Sequence, residues 1–343
     1  MRRVLLWFEI YKELKEEINK GRYKSGDKFL KIKDICKKFN VSEITARRVL
    51  NELEREKLII KKQRIGTIIN RTNLKLFFIV PHVWNLGNIS SLPIIQAEVL
   101  KGIFKKSVEE NVEIEFVDEK TFFKNIKNGI YFLFYHSLDD KKEKEILEKI
   151  SSNIVIVHSP VSIKNIHTIR VNLYNGAYIA VIHLIERGYK RIGFITGSLK
   201  NEWFLLRFEG YLSALRERKI GFDVKFVKET DGENEENDWN AFEELLNLKN
   251  PPDAIFCAND KRAIHILEYC YKKNIKVPDE IGIIGFDNIP ETEITNPPLT
   301  TIETHLEKLG EKAIELGIKL TTEKIKETQD IVIEPEIIIR KST

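Results

Sequence analysis

The sequence predicts an α/β protein, with an N-terminal winged helix-turn-helix followed by a two-lobed body of parallel, doubly wound sheets. Three observations carry this expectation. Apolar residues recur at helical spacing in three short segments ahead of Lys57, and a β-hairpin pattern follows them. From Lys75 onward, continuous apolar runs alternate with amphipathic stretches, the mark of buried parallel strands covered by helices on both faces. Charge is also partitioned. Through Asn73 there are 20 Lys and Arg against 10 Asp and Glu, a balance of +10, whereas the rest of the chain carries −6 of the total of +4.

The first segment, WFEIYKELKEEINKG, sets Phe8, Tyr11, Leu14 and Ile18 on one helical face and stops at Gly21, which suits a C-terminal cap. RYKSGDKF reads as a tight turn around Gly26-Asp27. IKDICKKFN is a short helix with Ile32, Ile35 and Phe39 inward and Asn40 at a left-handed cap. Ser42 then caps a helix that runs to about Lys57, with Ala46, Val49, Leu50 and Leu53 as its apolar stripe. LIIKKQRIGTIIN gives two short strands around a basic tip, Gln63-Arg64-Ile65-Gly66. In such a winged helix-turn-helix the second helix of the motif enters the major groove with its N-terminal residues at base edges. A small basic module on a mildly acidic body fits that use.

INKGRYKSGDKF, DICKKFNVSEITARRVLNELEREKLI and KKQRIGT resemble the winged-helix domain of the GntR family of bacterial regulators, over Ile10 to Asn70. The resemblance implies double-stranded operator DNA as a partner. It places Lys33, Ser42, Thr45, Arg47 and the wing around Gly66 at the DNA, with Lys62 and Arg64 as wing cations. Where the family carries an arginine after the serine, this chain has Glu43, and Arg48 is an added cation. Glutamate accepts from cytosine N4 where arginine prefers guanine.

The body predicts strands at KLFFIVP, EIEFV, IYFLF, IVIVH, HTIRV, RIGFITG, VKFV, AIFCA and IGIIGFD, with helical patterns such as PIIQAEVLKGIFKKSVEEN, YNGAYIAVIHLIERG and KRAIHILEYCYKKN between most of them. About 270 residues is large for one such sheet, so two lobes are expected. HLIERGYKRIGFITG, RFEGYLSAL, DAIFCANDKRAIHIL, VPDEIGIIGFDNIPETEITNPPLTTI and LGEKAIEL resemble the effector domain of the lactose/galactose repressor family, itself similar to periplasmic binding proteins. The resulting division is 1–71 for DNA binding and 72–343 for effector binding and dimerisation. The lobes fall at roughly 75–171 with 301–325 and 172–300 with 326–341. A GntR-type head on this body, with no hinge-helix segment between, most resembles the bacterial arabinose repressors. The resemblance implies a homodimer and a small effector, such as a pentose.

Ligands of such folds lie beyond the carboxyl ends of strands. Arg207 suits either a surface salt bridge or bidentate recognition of a ligand, and the family match favours the second. Asp287, at the end of IGIIGFD, is either a turn residue or a polar ligand anchor. Asn259 reads equally as a helix cap or a ligand group. His158 also follows a strand. Trp84, Trp203 and Trp239 are either packing aromatics or rings that stack on a ligand.

No apolar run approaches a membrane span, and MRRVLLWFEIYKEL lacks the cleavage site of a signal peptide. Cys36, Cys257 and Cys270, odd in number and without CxxC spacing, suit a reducing cytoplasm. No metal-ligand spacing, P-loop, Ser-His-Asp elbow or Schiff-base lysine context stands out, so no metal, no cofactor and no catalytic residue is expected. The expected function is a ligand-responsive transcriptional regulator released from its operator by a sugar. The alternative is a corepressor-type regulator that binds a nucleobase or another small metabolite.

Overall fold

The computed structural model describes residues 2–19, 22–23, 26–56, 58–62, 66–69, 75–80, 94–118, 122, 129–134, 153–231, 234–322, 325 and 327–343. Three helices and a hairpin open the chain: α1 (Arg2–Asn19), α2 (Ile32–Phe39), α3 (Glu43–Arg55), β1 (Ile59–Lys62) and β2 (Gly66–Ile69). Ile10, Tyr11, Leu14 and Ile18 of α1 meet Ile35 of α2 and Ala46, Val49, Leu50 and Leu53 of α3 in one core, which β1 and β2 close with Ile59 and Ile69. Asn40 ends α2 at φ 51°, the left-handed cap its sequence suggested. The hairpin is antiparallel with Lys62 opposite Gly66, whose φ of +99° is a conformation that glycine adopts without a side-chain clash.

The body contains two parallel sheets. The first has six strands in the order β13 (Asp330–Ile333), β7 (His167–Val171), β6 (Ile154–Val157), β5 (Ile130–Phe134), β3 (Lys75–Val80) and β4 (Glu113–Asp118). On one face Phe78 stacks on Phe132 at 4.8 Å, beneath α4 (Ile94–Glu110) and α9 (Leu306–Thr322). On the other, Phe77 stacks on Tyr131 at 5.0 Å, near Phe122. The two covering helices cross closely: a Cβ on Gly102 would lie 1.8 Å from the Glu307 carbonyl oxygen, and one on Gly310 would lie 2.1 Å from that of Val99.

The second sheet runs β11 (Gly282–Ile284), β10 (Ala254–Cys257), β8 (Ile192–Thr196) and β9 (Val227–Glu229). Successive residues of β8 face opposite layers. Phe194 packs with Phe256 under α5 (Leu173–Glu186) and α6 (Glu202–Glu217), while Ile195 packs toward α7 (Glu235–Leu246) and α8 (Asp260–Lys273). Both faces are thus buried, as the uninterrupted apolar runs required.

Several expectations are corrected. VKFV is not a strand throughout. Val224–Phe226 forms a 3₁₀ turn, capped where the Asp223 carboxylate accepts from the Lys225 N–H at 2.9 Å, and the edge strand starts at Val227. Two short strands, β12 (Thr301–Glu303) and β14 (Glu336–Ile338), pair antiparallel against α5. Thr301–Glu303 therefore leaves the first lobe where it had been expected, and Asp330–Ile333 joins the first sheet instead of the second lobe. The physical reason is pairing: β7 would otherwise be an open edge, and β13 supplies its partner. The chain passes between lobes near Val171–Asn172, Glu303–His305 and Ile333–Glu336. The Asn172 and Asn175 side-chain amides donate to the Glu334 carboxylate, each at 3.0 Å, and join two of these passages.

Candidate functional site

Two surfaces hold most of the described residues singled out from the sequence. The first is the start of α3. Ser42 takes an extended backbone as N-cap; its Oγ accepts from the Thr45 N–H at 3.4 Å and lies 3.1 Å from Thr45 Oγ1. Glu43 and Arg47, one turn apart and both exposed, pair at 3.5 Å. Arg48 turns toward the head, its guanidinium 4.2 Å from the Trp7 ring centroid, so it is held by a cation–π contact as well as exposed to solvent. Lys33 is exposed on the second residue of α2. The Lys62 backbone pairs with Gly66 at the hairpin end. Arg64 and Trp84 lie outside the described residues, as does the Lys62 side chain. One residue passed over in the sequence is Ile44, exposed on the polar face of α3.

The second surface lies between the lobes, at the carboxyl ends of the strands. Arg207, on α6, is buried. One terminal nitrogen donates to the Ala258 carbonyl at 2.6 Å and the other to Asp287 Oδ1 at 3.2 Å. Its plane stacks 4.1 Å from the Phe286 centroid, and its buried Nε has no hydrogen-bond partner among the described residues. A buried donor without an acceptor is costly unless something else completes it. Burial, Arg207 and Glu303 together leave the Asp287 carboxyl pushed up to about 6, burial being the chief cause. The Asp287 backbone sits at φ 111°, a region that disfavours a side chain and is retained where surrounding structure imposes it. Its N–H donates to the Ile302 carbonyl at 2.9 Å, which fixes the turn.

Asp260, beside Asn259 and absent from the expected site residues, completes this arrangement. Its Oδ1 accepts from Thr301 Oγ1 at 2.5 Å and its Oδ2 from the Ile289 N–H at 2.9 Å. Burial, then the neighbouring Asp287 charge, push it up to about 7. Its place directly after strand AIFCA was the available signal. Asn259 caps α8, its Oδ1 accepting from the Arg262 N–H at 3.1 Å, and it also borders the cleft.

His158 and Trp203 approach each other from opposite lobes, one following β6 and the other opening α6, with ring centroids 4.4 Å apart. Burial and the nearby Arg207 charge push the His158 imidazole down to about 3, so it is neutral at pH 7 and can accept a hydrogen bond. Trp239 is not in this cleft. Its Nε1 donates to the His265 carbonyl at 2.8 Å and Lys272 Nζ sits 3.9 Å from its ring, which makes it a packing aromatic between α7 and α8. Two adjoining cavities of about 500 and 460 Å³ open beside Asp287 and share Ile94, Asp287 and Ile289, within the size range of small-molecule sites; Arg207, His158 and Trp203 are not among the described residues that line them. Among the described residues no group of His, Cys, Asp or Glu is placed to hold a metal ion, and no helix is long and apolar enough to cross a membrane.

Comparison with known proteins agrees with this two-part geometry. The model for bacterial regulatory proteins of the gntR family matches residues 8–69, and that for a periplasmic binding protein-like domain matches residues 181–343. The HTH-type transcriptional repressor PurR of Histophilus somni is 37% identical over 179 residues, covering 52% of this chain and 54% of its own length. The chain thus spans about half the length of that relative. PurR of Pasteurella multocida is 28% identical over 331 residues, covering 91% of this chain and 98% of its own. Among solved structures, the transcription regulator CcpA of Lactococcus lactis aligns with a TM-score of 0.64 at 26% identity, over 79% of this chain and 99% of that one. A transcriptional regulator CelR–cellobiose complex aligns at 0.67 and 20% identity, over 88% and 92%, a likeness of fold alone. The relatives named are repressors and regulators rather than enzymes, and they are not specifically arabinose repressors.

Proposed function

We propose, from a GntR-type head joined to a periplasmic-binding-protein-like body, that this chain is a transcriptional repressor governed by a purine-type nucleobase. The observation that carries the proposal is the Arg207–Asp287 pair, with one buried guanidinium nitrogen unmatched among the described residues, set near the His158 and Trp203 rings. A nucleobase offers two flat π faces and an edge on which acceptors and donors alternate. Arg207 Nε can donate to a ring nitrogen or carbonyl, Asp287 can accept from a ring N–H, and neutral His158 can accept from an amine. Site groups left unmatched by a wrong ligand make such an edge selective.

The sugar expected from the sequence gives way to the alternative named beside it, because the two sequence relatives named above are PurR repressors. The repressor acts as a homodimer, with one α3 entering each half-site of a pseudo-palindromic operator. Half-sites lie about 34–36 Å apart or a multiple of it. Nucleobase bound between the lobes favours their closed arrangement and tightens operator binding, a coupling of ~1–3 kcal/mol that must act equally in the reverse direction.

Calorimetry of the full chain against guanine, hypoxanthine, adenine, ribose and arabinose tests the effector. Fluorescence anisotropy then measures affinity for a duplex selected from a random pool, with and without the bound compound. A purine that binds and strengthens DNA affinity is expected. Binding of a pentose with no response to any purine refutes the effector class, and failure of the pool to yield a preferred duplex refutes the repressor.

A further inference from the structure

Among the described residues of the head, the most exposed large apolar side chain is Ile44, 81% exposed, where Ile10, Ile18 and Ile35 are 3%, 7% and 0% exposed. Its position explains the difference. At 3.6 residues per turn, Ile44 lies on the side of α3 opposite the buried stripe of Ala46, Val49, Leu50 and Leu53. Its neighbours in the first two turns are engaged: Ser42 with Thr45 through their hydroxyls, Glu43 with Arg47, and Arg48 with Trp7. Ile44 projects between them with a side chain that can neither donate nor accept. Solubility and helix propensity both disfavour a bare β-branched residue there, so folding gives no reason for it.

The major-groove edges of adenine, guanine and cytosine present polar atoms, whereas thymine adds a C5-methyl group. An isoleucine against the polar edges would strip water from atoms it cannot satisfy; against the methyl it gains apolar contact. We infer that Ile44 is a specificity residue that reads a thymine methyl in each operator half-site. This deepens the repressor reading above and rests on it. It also assigns the chain a preference opposite in kind to that of Glu43, which can accept only from a base donor such as cytosine N4.

The experiment replaces each thymine of the selected duplex, one at a time, by deoxyuridine, which lacks the methyl and keeps the Watson–Crick edge. Binding of the full chain and of its Ile44→Ala variant is followed by anisotropy. The expected result is one thymine per half-site whose demethylation weakens the parent about three- to fivefold, as befits one buried methyl. The same change should leave Ile44→Ala unaffected, and that variant should bind the thymine duplex as weakly as the parent binds the deoxyuridine one. Because Ile44 is exposed, its thermal midpoint and nucleobase affinity should match the parent's. A parent insensitive to every deoxyuridine overturns the inference, as does a variant that keeps the parent's sensitivity. If selection with the parent enriches no sequence, the repressor reading itself fails and the inference falls with it.

Discussion

Arg207→Ala separates the two jobs of the body, stability and effector recognition. The parent side chain is 5% exposed and pairs with Asp287, which is somewhat less buried in the turn at the end of the second sheet. Truncation leaves the Asp287 carboxylate buried without its cation and the Ala258 carbonyl without its donor. Removing one partner of a buried pair typically costs ~3–5 kcal/mol. Part of that is avoided here, because a carboxyl already pushed up to about 6 can take a proton. A loss of about 2–4 kcal/mol at pH 7 therefore follows, smaller at pH 5, where Asp287 is neutral in the variant. Nucleobase affinity should fall at least a hundredfold, about 2.7 kcal/mol, since the Arg207 donors are lost and Asp287, without its cation, no longer stands there as a fixed anion. Operator affinity without effector should stay within twofold of the parent. Urea unfolding at pH 5 and 7, calorimetry and anisotropy measure the three quantities. Arg207→Ala/Asp287→Asn, which removes both charges, should recover a good part of the stability and none of the ligand binding. A variant that binds nucleobase like the parent refutes the assignment of Arg207, and one that loses operator binding while folded refutes the division of labour between head and body.

Other outcomes follow from the same geometry. Arg47→Ala should cost ~1–3 kcal/mol at the operator if it reaches a base edge, and Lys62→Ala should lower the salt slope of binding by about one, evenly across sequences. Equal affinities for parent and Arg47→Ala would exclude α3 as the reading helix. His158 has its folded pKa depressed to about 3, so its contribution to stability is present above about 6.5 and is lost as pH falls toward 3. His158→Gln should flatten that limb of a pH-dependent unfolding curve, and an unchanged limb would place the imidazole in water. Trp239→Phe should cost about 1 kcal/mol through the hydrogen bond to the His265 carbonyl and leave effector affinity untouched; any loss of affinity would return Trp239 to the cleft. Gly310→Ala should destabilise by at least ~1–3 kcal/mol, because its methyl meets the Val99 carbonyl oxygen, and a neutral result in thermal melting would mean the α4–α9 crossing relaxes.

The parts legible in the sequence were those with strong local signals. The stripe Ala46, Val49, Leu50, Leu53 and the cap at Ser42 made α3 unmistakable, and runs such as IYFLF and IVIV could be little other than buried strands. What escaped was governed by distant partners. Asp330–Ile333 is a strand because it completes the edge of β7, far away in sequence, and nothing in DIVI names that partner. Asp260 reads locally as a second residue in a helix start, and its importance comes from Thr301 and Ile289, brought in by the passage between lobes. Trp239 failed in the opposite direction. A tryptophan in a polar stretch reads equally as packing or as a ligand platform, and the His265 carbonyl and Lys272 decide for packing.

The placement of β13 also bears on how the chain is made. Between Val171, the end of β7, and Asp330 lie about 160 residues, nearly all of them building the other lobe and the connecting helix α9. At typical synthesis rates a ribosome needs roughly ten to thirty seconds to deliver them. For that interval β7 offers its backbone N–H and C=O groups to any strand that passes, including another nascent copy of the same segment. The second lobe can fold during the wait, but the first cannot close its sheet. Early β7 is therefore where a chaperone has most to protect, and overexpression that crowds nascent chains should fail there first, before any weakness in the mature fold is felt.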